Sequence, residues 1–315
     1  MSTTTVPVLD LATTSADELT QALIDWSCVL VSGHGIPDDL QQKMADVSTE
    51  FFDLPEREKG KARSARQGMW QGWVPIYRGD PDFVEPGEVP DLVEWFQVQE
   101  FESFGLWPEQ PARMRPVWLA FFQAVRGLSS RVIDMVASAL DLPEADVPAW
   151  TERPFCDLAA NNYPSTNQPL LPGQVRLSPH TDEDGITLVM ARKDTGGLEI
   201  RRPHTPEDDW RPVFIPSGAV FIQTGDVLAR WTNRVIHANH HRVVSPPGAG
   251  APLPRRQSIV FFHYPAWDTT VTPAPSCVAR TSEVLPPLHI GQHILRNQRV
   301  YSSGDERALL EDTKD

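Results

Sequence analysis

The chain is short of cysteine, of long apolar runs and of basic charge, and each shortage excludes something. Only three cysteines, Cys28, Cys156 and Cys277, occur in 315 residues. They lie far apart and never in a CxxC pair. That argues against a disulfide framework and a thiolate zinc site and fits a reducing compartment. No stretch of about 18 uncharged apolar residues is present to span a bilayer. The start, "MSTTTVPVLDLATTS", lacks the basic-then-apolar pattern of a secretion signal. Acidic residues outnumber basic ones 42 to 28, giving a net charge of −14 and a pI of about 5.1, so no basic face is offered to a phosphate backbone. The expectation is a soluble, cytoplasmic protein with neither nucleic acid nor membrane as partner. Internal repeats and low-complexity linkers are missing too.

The sequence is rich in core material: 40% of residues are hydrophobic, with 10 Trp and 13 Phe, ample for a sizeable interior. "VPVLDL" (6–11) reads as a strand, and Thr14 or Ser15 can cap a helix running to about Trp26. "CVLVSGHGIP" (28–37) reads as a buried strand ended by glycines, and "DDLQQKMADVSTEFFDLP" as a helix stopped before Pro55. Residues 60–110 show no clear period. From about Ala112 to Leu140, apolar residues recur every three or four positions, the stripe of a long amphipathic helix. After residue 155 short β-rich runs follow one another: "DLAANNY", "GITLVMAR", "GLEIRR", "WRPVFIP", "AVFIQTG", "HHRVVSP" and "SIVFFHYP". Turn residues bound each of them, which suggests a jelly-roll barrel or sandwich. "PLHIGQHILRNQRVY" reads as a final helix packed outside.

The segment "RLSPHTDEDGITLVMAR" (176–192) sets a histidine and three acidic residues before an apolar run. His180 and Asp182 are two apart, so on a strand they share a face, while Thr181 and Glu183 point away. Asp184 reads as a turn residue before Gly185. An HxD pair alone is weak evidence and equally suits a polar strand entrance. "RWTNRVIHANHHRVVSPP" (230–247) adds His237, His240 and His241. Two histidines and one carboxylate on one face of a metal are the arrangement of non-heme Fe(II) oxygenases. Arg256, in "RRQSIVFFHYP", is costly on a barrel strand without a partner, and its fork suits a carboxylate. Ser258 shares its face. That carboxylate is either a protein one such as Asp226 or one end of a small dicarboxylate whose other end chelates iron, the shape of 2-oxoglutarate.

Together these stretches resemble the isopenicillin N synthase-like family of Fe(II)/2-oxoglutarate-dependent dioxygenases, which includes plant flavonoid and gibberellin oxygenases and bacterial cephalosporin-forming enzymes. "VPVLDL", "VLVSGHGIP" and "FFDLPEREK" are similar to its N-terminal region. "NNYP", "HTDEDGITLV", "GGLEI", "PSGAVFIQTGDVLARWTN", "HHRVVSP" and "RQSIVFFHYP" are similar to its catalytic barrel, in order. The resemblance implies a mainly β fold with flanking helices: a double-stranded β-helix (jelly-roll) core, an α/β N-terminal region and a long supporting helix. The implied divisions are 1–110, 111–150 for the supporting helix, 151–270 for the catalytic core and 271–315 for a helical tail, in one compact unit.

It further implies His180, Asp182 and His241 (the histidine of an H-R-V tripeptide) as iron ligands. Arg256 and Ser258 would hold the distal carboxylate of 2-oxoglutarate, with Asn161 and Tyr163 helping to seat it, and Phe262 would lie beside the site. Segments 68–80 and 91–98 correspond to parts that approach the active site in relatives. Trp70, Trp73, Tyr77, Arg78 and Trp95 are therefore candidates for a pocket around a mostly apolar metabolite, although each is equally suited to packing the N-terminal region onto the barrel. The chain departs from the family at Arg234, His237 and Ala238 and in the long loop before Arg256, none of them a ligand position.

The implied reaction couples conversion of 2-oxoglutarate to succinate and CO2 with oxidation of a small molecule of secondary metabolism. Hydroxylation is the default, and desaturation or cyclisation are open to the same chemistry. Two other readings stand beside it: a same-fold Fe(II) oxidase that does not use 2-oxoglutarate, and a non-catalytic jelly-roll binding protein. Succinate formation separates the first and iron binding the second. The oligomeric state is not fixed by the sequence, and a monomer is compatible with it.

Overall fold

A computed structural model describes residues 5–63, 71–76, 89–99, 106–167, 170–191, 196–245 and 252–303, the last six as backbone only. Strand β1 (Val8–Asp10) leads to helix α1 (Ala16–Trp26), then to β2 (Cys28–Ser32) and α2 (Asp38–Phe52). Ser15 caps α1 in a capping box: its hydroxyl accepts from the Glu18 N–H at 3.2 Å, and its own N–H donates to Glu18 Oε2 at 2.9 Å. This satisfies two backbone donors that would otherwise be orphaned. A short helix α3 (Glu56–Lys59) follows, then β3 (Gly72–Val74), β4 (Glu94–Gln99), the long α4 (Met114–Ala139) and α5 (Val147–Thr151).

The remaining strands are β5 (Phe155–Tyr163), β6 (Leu177–His180), β7 (Ile186–Met190), β8 (Leu198–Arg201), β9 (Trp210–Pro212), β10 (Val220–Thr224), β11 (His240–Val243) and β12 (Arg256–Tyr264), with helix α6 (Asp226–Trp231) between β10 and β11. A small pair, β13 (Thr270–Val271) and β14 (Leu288–His289), flanks helix α7 (Pro275–Val278), and α8 (Ile290–Ser303) closes the described chain.

An eight-stranded sheet, in the order β1-β2-β10-β7-β12-β5-β4-β3, faces a four-stranded sheet, β6-β11-β8-β9. This is the expected jelly roll with flanking helices. β1 and β2 are hydrogen-bonded into the same large sheet as the barrel strands, β2 pairing antiparallel with β10.

The large sheet separates two apolar interiors, which is what sorts its side chains. Helix α4 covers one face with a stripe of buried residues, among them Trp118, Phe121, Phe122, Val125, Val132 and Val136. Pro116 is tolerated because it sits in the first turn, where its missing N–H had no partner. Along β12, Phe261 meets Phe122 edge-on at 5.2 Å and His263 meets Ser129, both on the helix side. Val260 belongs to the second interior, between the two sheets, with Tyr163, Phe221, Ile200 and Val243. Alternation along a strand therefore sends Arg256 and Ser258 toward the inter-sheet side.

The strands β3 and β4 lie where the sequence shows no period. β4 is buried along most of its length, but two of its buried residues are polar. Glu94 accepts from Lys59 Nζ at 2.7 Å, from the Trp73 indole at 2.8 Å and from Asn162 at 2.7 Å. Gln97 donates to Asp157. Polar residues satisfied inside the fold erase the apolar alternation that marks other strands.

His263 is wholly buried, with Nδ1 2.8 Å from the Ser129 hydroxyl and Nε2 2.8 Å from the Trp150 carbonyl. Burial pushes its pKa down to about 3, so the folded chain keeps it neutral. The unfolded chain takes up that proton below about pH 6.5, so this contribution to stability is complete above that pH and is lost as pH falls toward the folded value. Between pH 7 and pH 5 the wild type should lose about 2 kcal/mol more unfolding free energy than His263→Gln. Urea unfolding at the two pH values checks this, and equal losses would contradict a neutral buried imidazole.

Candidate active site

β6 and β11 pair antiparallel with His180 opposite His241, and a register shift separates that pair from Leu177 opposite Val243. The two imidazoles are thereby held with ring centroids 4.1 Å apart. Asp182 lies just beyond the end of β6, in a loop rather than on the strand where alternation had placed it. Its position comes from the backbone instead. Asp226 N–H donates to Asp182 O at 2.8 Å, and Val227 N–H to Asp184 O at 2.9 Å, so the loop is laced to the start of α6. Gly225 makes that approach possible, since a Cβ there would fall 2.3 Å from Asp184 O and 2.8 Å from Asp182 O.

His180 Nε2 is 3.5 Å and His241 Nε2 3.7 Å from Asp182 Oδ1, and the ligand atoms of the three residues lie within 4.8 Å of one another. Each group is oriented by a second contact. His180 Nδ1 is 2.8 Å from Ser178 O, and His241 Nδ1 is 3.2 Å from Asn239 O, so each Nδ1 serves as the donor and leaves Nε2 with a lone pair. Asp182 Oδ2 accepts from Gln223 Nε2 at 2.6 Å and from the Thr187 hydroxyl, leaving Oδ1 toward the imidazoles. Two nitrogens and one oxygen, all aimed at one point, fit Fe(II) with positions left open on the other side. His237 precedes the strand and instead packs edge-on against His204 at 4.7 Å. His240 is exposed. His241 is thus the histidine brought to the site.

Environment sorts the three neighbouring acids. Burial alone would raise the Asp182 carboxyl, yet His241, His180 and Thr187 hold it well below the usual carboxylate range. Burial pushes Glu183 up to about 8, with Asn297 opposing, and drives Asp184 well above its ordinary value, aided by the charge of Asp182. Of the three, only Asp182 is shifted toward the anionic form. Asp184 Oδ2 accepts from the His263 N–H and lies 3.0 Å from the Thr187 hydroxyl, whose one proton is shared with Asp182. Glu183 reaches α8: its carbonyl oxygen lies 3.0 Å from His293 Nε2, and its side chain accepts from Asn297. In the triad itself, burial also lowers His241 to about 4, while contact with Asp182 raises His180 despite burial.

The other predicted cluster comes together between the sheets. Arg256 pairs across the sheet with Tyr163, and Ser258 with Asn161. Arg256 is 2% exposed, and its Nη1 is 3.3 Å from Ser258 Oγ while its guanidinium lies 5.1 Å from the Tyr163 ring centre. Burial raises the pKa of the Tyr163 hydroxyl, with Arg256, Asn161 and Ser258 opposing the shift. Asp226, considered as a partner for Arg256, is bound to Thr181 instead. Phe262 and Trp95 pack against the inter-sheet cluster. Trp73 is buried with its indole N–H committed to Glu94, which makes it a packing residue of that ion-pair network. Trp70, Tyr77 and Arg78 lie outside the described residues.

Sequence reasoning missed Gln223 and Thr187, which complete the Asp182 environment. A lone glutamine inside the apolar run "AVFIQTG" was the available signal. It also missed Arg176, whose side chain is wholly buried.

Residues 6–120 match the family described as non-haem dioxygenase in morphine synthesis N-terminal, and residues 154–265 match the 2OG-Fe(II) oxygenase superfamily. The validamycin A dioxygenase of Streptomyces hygroscopicus subsp. limoneus is 29% identical over 93% of this chain and 86% of its own length. A flavonol synthase 2 of Arabidopsis thaliana, named as inactive, is 31% identical over 71% of this chain and 88% of its own. Among solved structures, a full-length Neurospora crassa protein in complex with alpha-KG and thymine superposes with a TM-score of 0.82 at 21% identity, covering 94% of this chain and 96% of that one.

Removing the Gln223 contact should weaken the site without dismantling it. Gln223→Leu should lower Fe(II) affinity by about 10–100-fold, whereas Asp182→Ala should abolish binding. Anaerobic competition with a chelator measures both, and wild-type affinity in Gln223→Leu would show that the amide does not orient the carboxylate.

Proposed function

Since the chain belongs to the isopenicillin N synthase-like family of Fe(II)/2-oxoglutarate-dependent dioxygenases, we propose that His180, Asp182 and His241 hold its iron and that Arg256, Ser258, Tyr163 and Asn161 seat its cosubstrate. The observation that carries this reading is the convergence of Asp182 Oδ1 with the two Nε2 atoms in the same barrel that encloses Arg256. Bound Fe(II) supplies the activation of dioxygen, coupled to loss of CO2 from 2-oxoglutarate and formation of succinate.

The protein's own part is positional. Arg256 offers a charged fork to the far carboxylate of 2-oxoglutarate, and Ser258 and Tyr163 add hydroxyls beside it. A cosubstrate anchored at that end presents its keto-acid end toward the triad in one orientation, so the reacting groups are placed before dioxygen arrives. Phe262 and Trp95 supply apolar surface for a small, largely apolar metabolite. Hydroxylation of an unactivated carbon is the default outcome, with desaturation or cyclisation as variants.

The relatives' names point to very different molecules, validamycin A in one and thymine in another, so they do not choose a substrate for this chain. An intact triad supports catalysis here, although one relative is named inactive. The three cysteines are free and buried, which supports a reducing, cytoplasmic setting. No described helix is long and apolar enough to cross a membrane. The acidic net charge supports a protein without nucleic-acid partners, and a monomer is compatible with all of this.

The test is spectroscopic first and catalytic second. Anaerobic addition of Fe(II) and then 2-oxoglutarate should produce the weak visible charge-transfer band of the chelate. The band should vanish in Asp182→Ala and need at least ~10-fold more cosubstrate in Arg256→Ala. With oxygen, succinate should form. Iron binding without band or succinate would favour the oxidase that does not use 2-oxoglutarate.

A further inference from the structure

Arg176 immediately precedes β6, and its backbone N–H donates to Val243 O at 3.0 Å. Its side chain has no exposed surface. Nη2 donates to the carbonyl of Pro254, but Nε and Nη1, equally buried, meet no acceptor. Arginine stays charged in proteins and carries five N–H donors with no acceptor of its own. A buried guanidinium with idle donors and no counter-ion is a costly arrangement, so it marks a place where an acceptor from outside the chain belongs.

The neighbours say what that acceptor is. Among the described residues Arg176 forms no ion pair. The charges that act on it are Arg256, of the same sign, and the phenol of Tyr163, and burial with Arg256 beside it lowers its basicity. Its one fixed contact, Pro254 O, lies two residues before Arg256 on the chain. Asp91 is a carboxylate felt by Tyr163 and His180, but its oxygens are taken by the N–H and hydroxyl of Ser178 at 3.0 and 2.7 Å. Arg176 is thus a second buried guanidinium, fixed to the backbone two residues before Arg256 and within electrostatic range of Arg256 and Tyr163.

We propose that Arg176 is a second carboxylate anchor, forming with Arg256 a two-arginine socket for the distal carboxylate of 2-oxoglutarate. The inference rests on the cosubstrate reading above and adds a residue to it. A carboxylate has about four lone-pair positions, more than one guanidinium fork fills. The Arg256 fork and the Ser258 and Tyr163 hydroxyls approach from β12 and β5, and Arg176 approaches from the entry to β6. Because β6 carries His180 at its other end, one strand then links the cosubstrate anchor to the metal site. The socket also sets specificity, since a 2-oxo acid without the distal carboxylate leaves the buried Arg176 donors idle.

The experiment uses the full-length protein loaded with Fe(II) under anaerobic conditions. Affinities for 2-oxoglutarate and for 2-oxopentanoate, which keeps the chelating end and chain length but ends in a methyl group, are read from the visible band. Arg176→Gln should weaken 2-oxoglutarate binding by about 10–100-fold and leave 2-oxopentanoate unchanged, and Arg176→Lys, which keeps the charge, should recover part of the loss. Equal weakening of both acids, or of neither, in Arg176→Gln would overturn the role of Arg176. If Arg256→Gln still lost 2-oxoglutarate selectively in that case, the cosubstrate reading would stand alone. Absence of any band in the wild type would overturn both. Should Arg176→Gln not fold, Arg176→Lys decides: wild-type affinity for 2-oxoglutarate there would reject the fork.

Discussion

Everything at the site depends on how the Asp182 carboxylate is divided. One oxygen is consumed by Gln223 and Thr187, and the other is left facing two imidazoles. A carboxylate free to rotate could satisfy itself on either side, and the triad would then have no fixed centre. Gln223 lies on β10 and Thr187 on β7, neighbouring strands of the large sheet, so the orientation of the Asp182 carboxylate is inherited from a fully buried part of the fold. Gly225 and the backbone bonds of the loop to α6 fix where the carboxylate sits. The sheet fixes which way it turns.

The same sheet sets the other end of the cavity. β12 runs between β7 and β5, with one set of side chains locked into the helical layer by Phe261 and His263. Those contacts leave Arg256, Ser258 and Phe262 no choice of face, because a slip of one residue would drive an arginine into α4. The apolar helix side thus positions polar chemistry on the opposite side. Burial raises Glu183 and Asp184 while the imidazoles and Thr187 lower Asp182, so the negative charge of this segment is favoured at Asp182.

Much of this was legible in the chain. Thr14 or Ser15 announces α1, with the structure choosing Ser15, the three-and-four spacing from Met114 announces α4, and turn residues bracket each barrel strand. Arg256 and Ser258 were readable because a charged residue at the head of "RQSIVFFHYP" needs a partner. What stayed hidden depends on contacts between distant segments. β4 carries Glu94 and Gln97, which look like surface residues until Lys59, Asn162 and Asp157 are in place. Asp182 reached the site through backbone bonds to α6 and not through the strand alternation that suggested it. The spacing of His237, His240 and His241 did not choose among them; the resemblance at the H-R-V tripeptide named His241, and the start of β11 at His240 with His241 opposite His180 gives the physical reason.

Charge runs along the cavity with a direction. At one end the Asp182 carboxylate, held well below its usual range, stands with two imidazoles, one of them lowered to about 4 by burial. At the other, the Arg256 guanidinium lies over the Tyr163 ring and Arg176 is within electrostatic range of both. Each end carries a cost by itself: like charges repel at the arginine end, and a buried carboxylate at the other faces groups that are not fully charged. On the proposed reading a divalent cation would satisfy the acidic end and a carboxylate the arginine end, and 2-oxoglutarate would span them with chemically different termini. Charge alone does not choose the orientation, because both termini of 2-oxoglutarate are carboxylates. Only the keto-acid terminus can chelate, so chelation at the triad would set the orientation and the arginine end would take the plain carboxylate that remains.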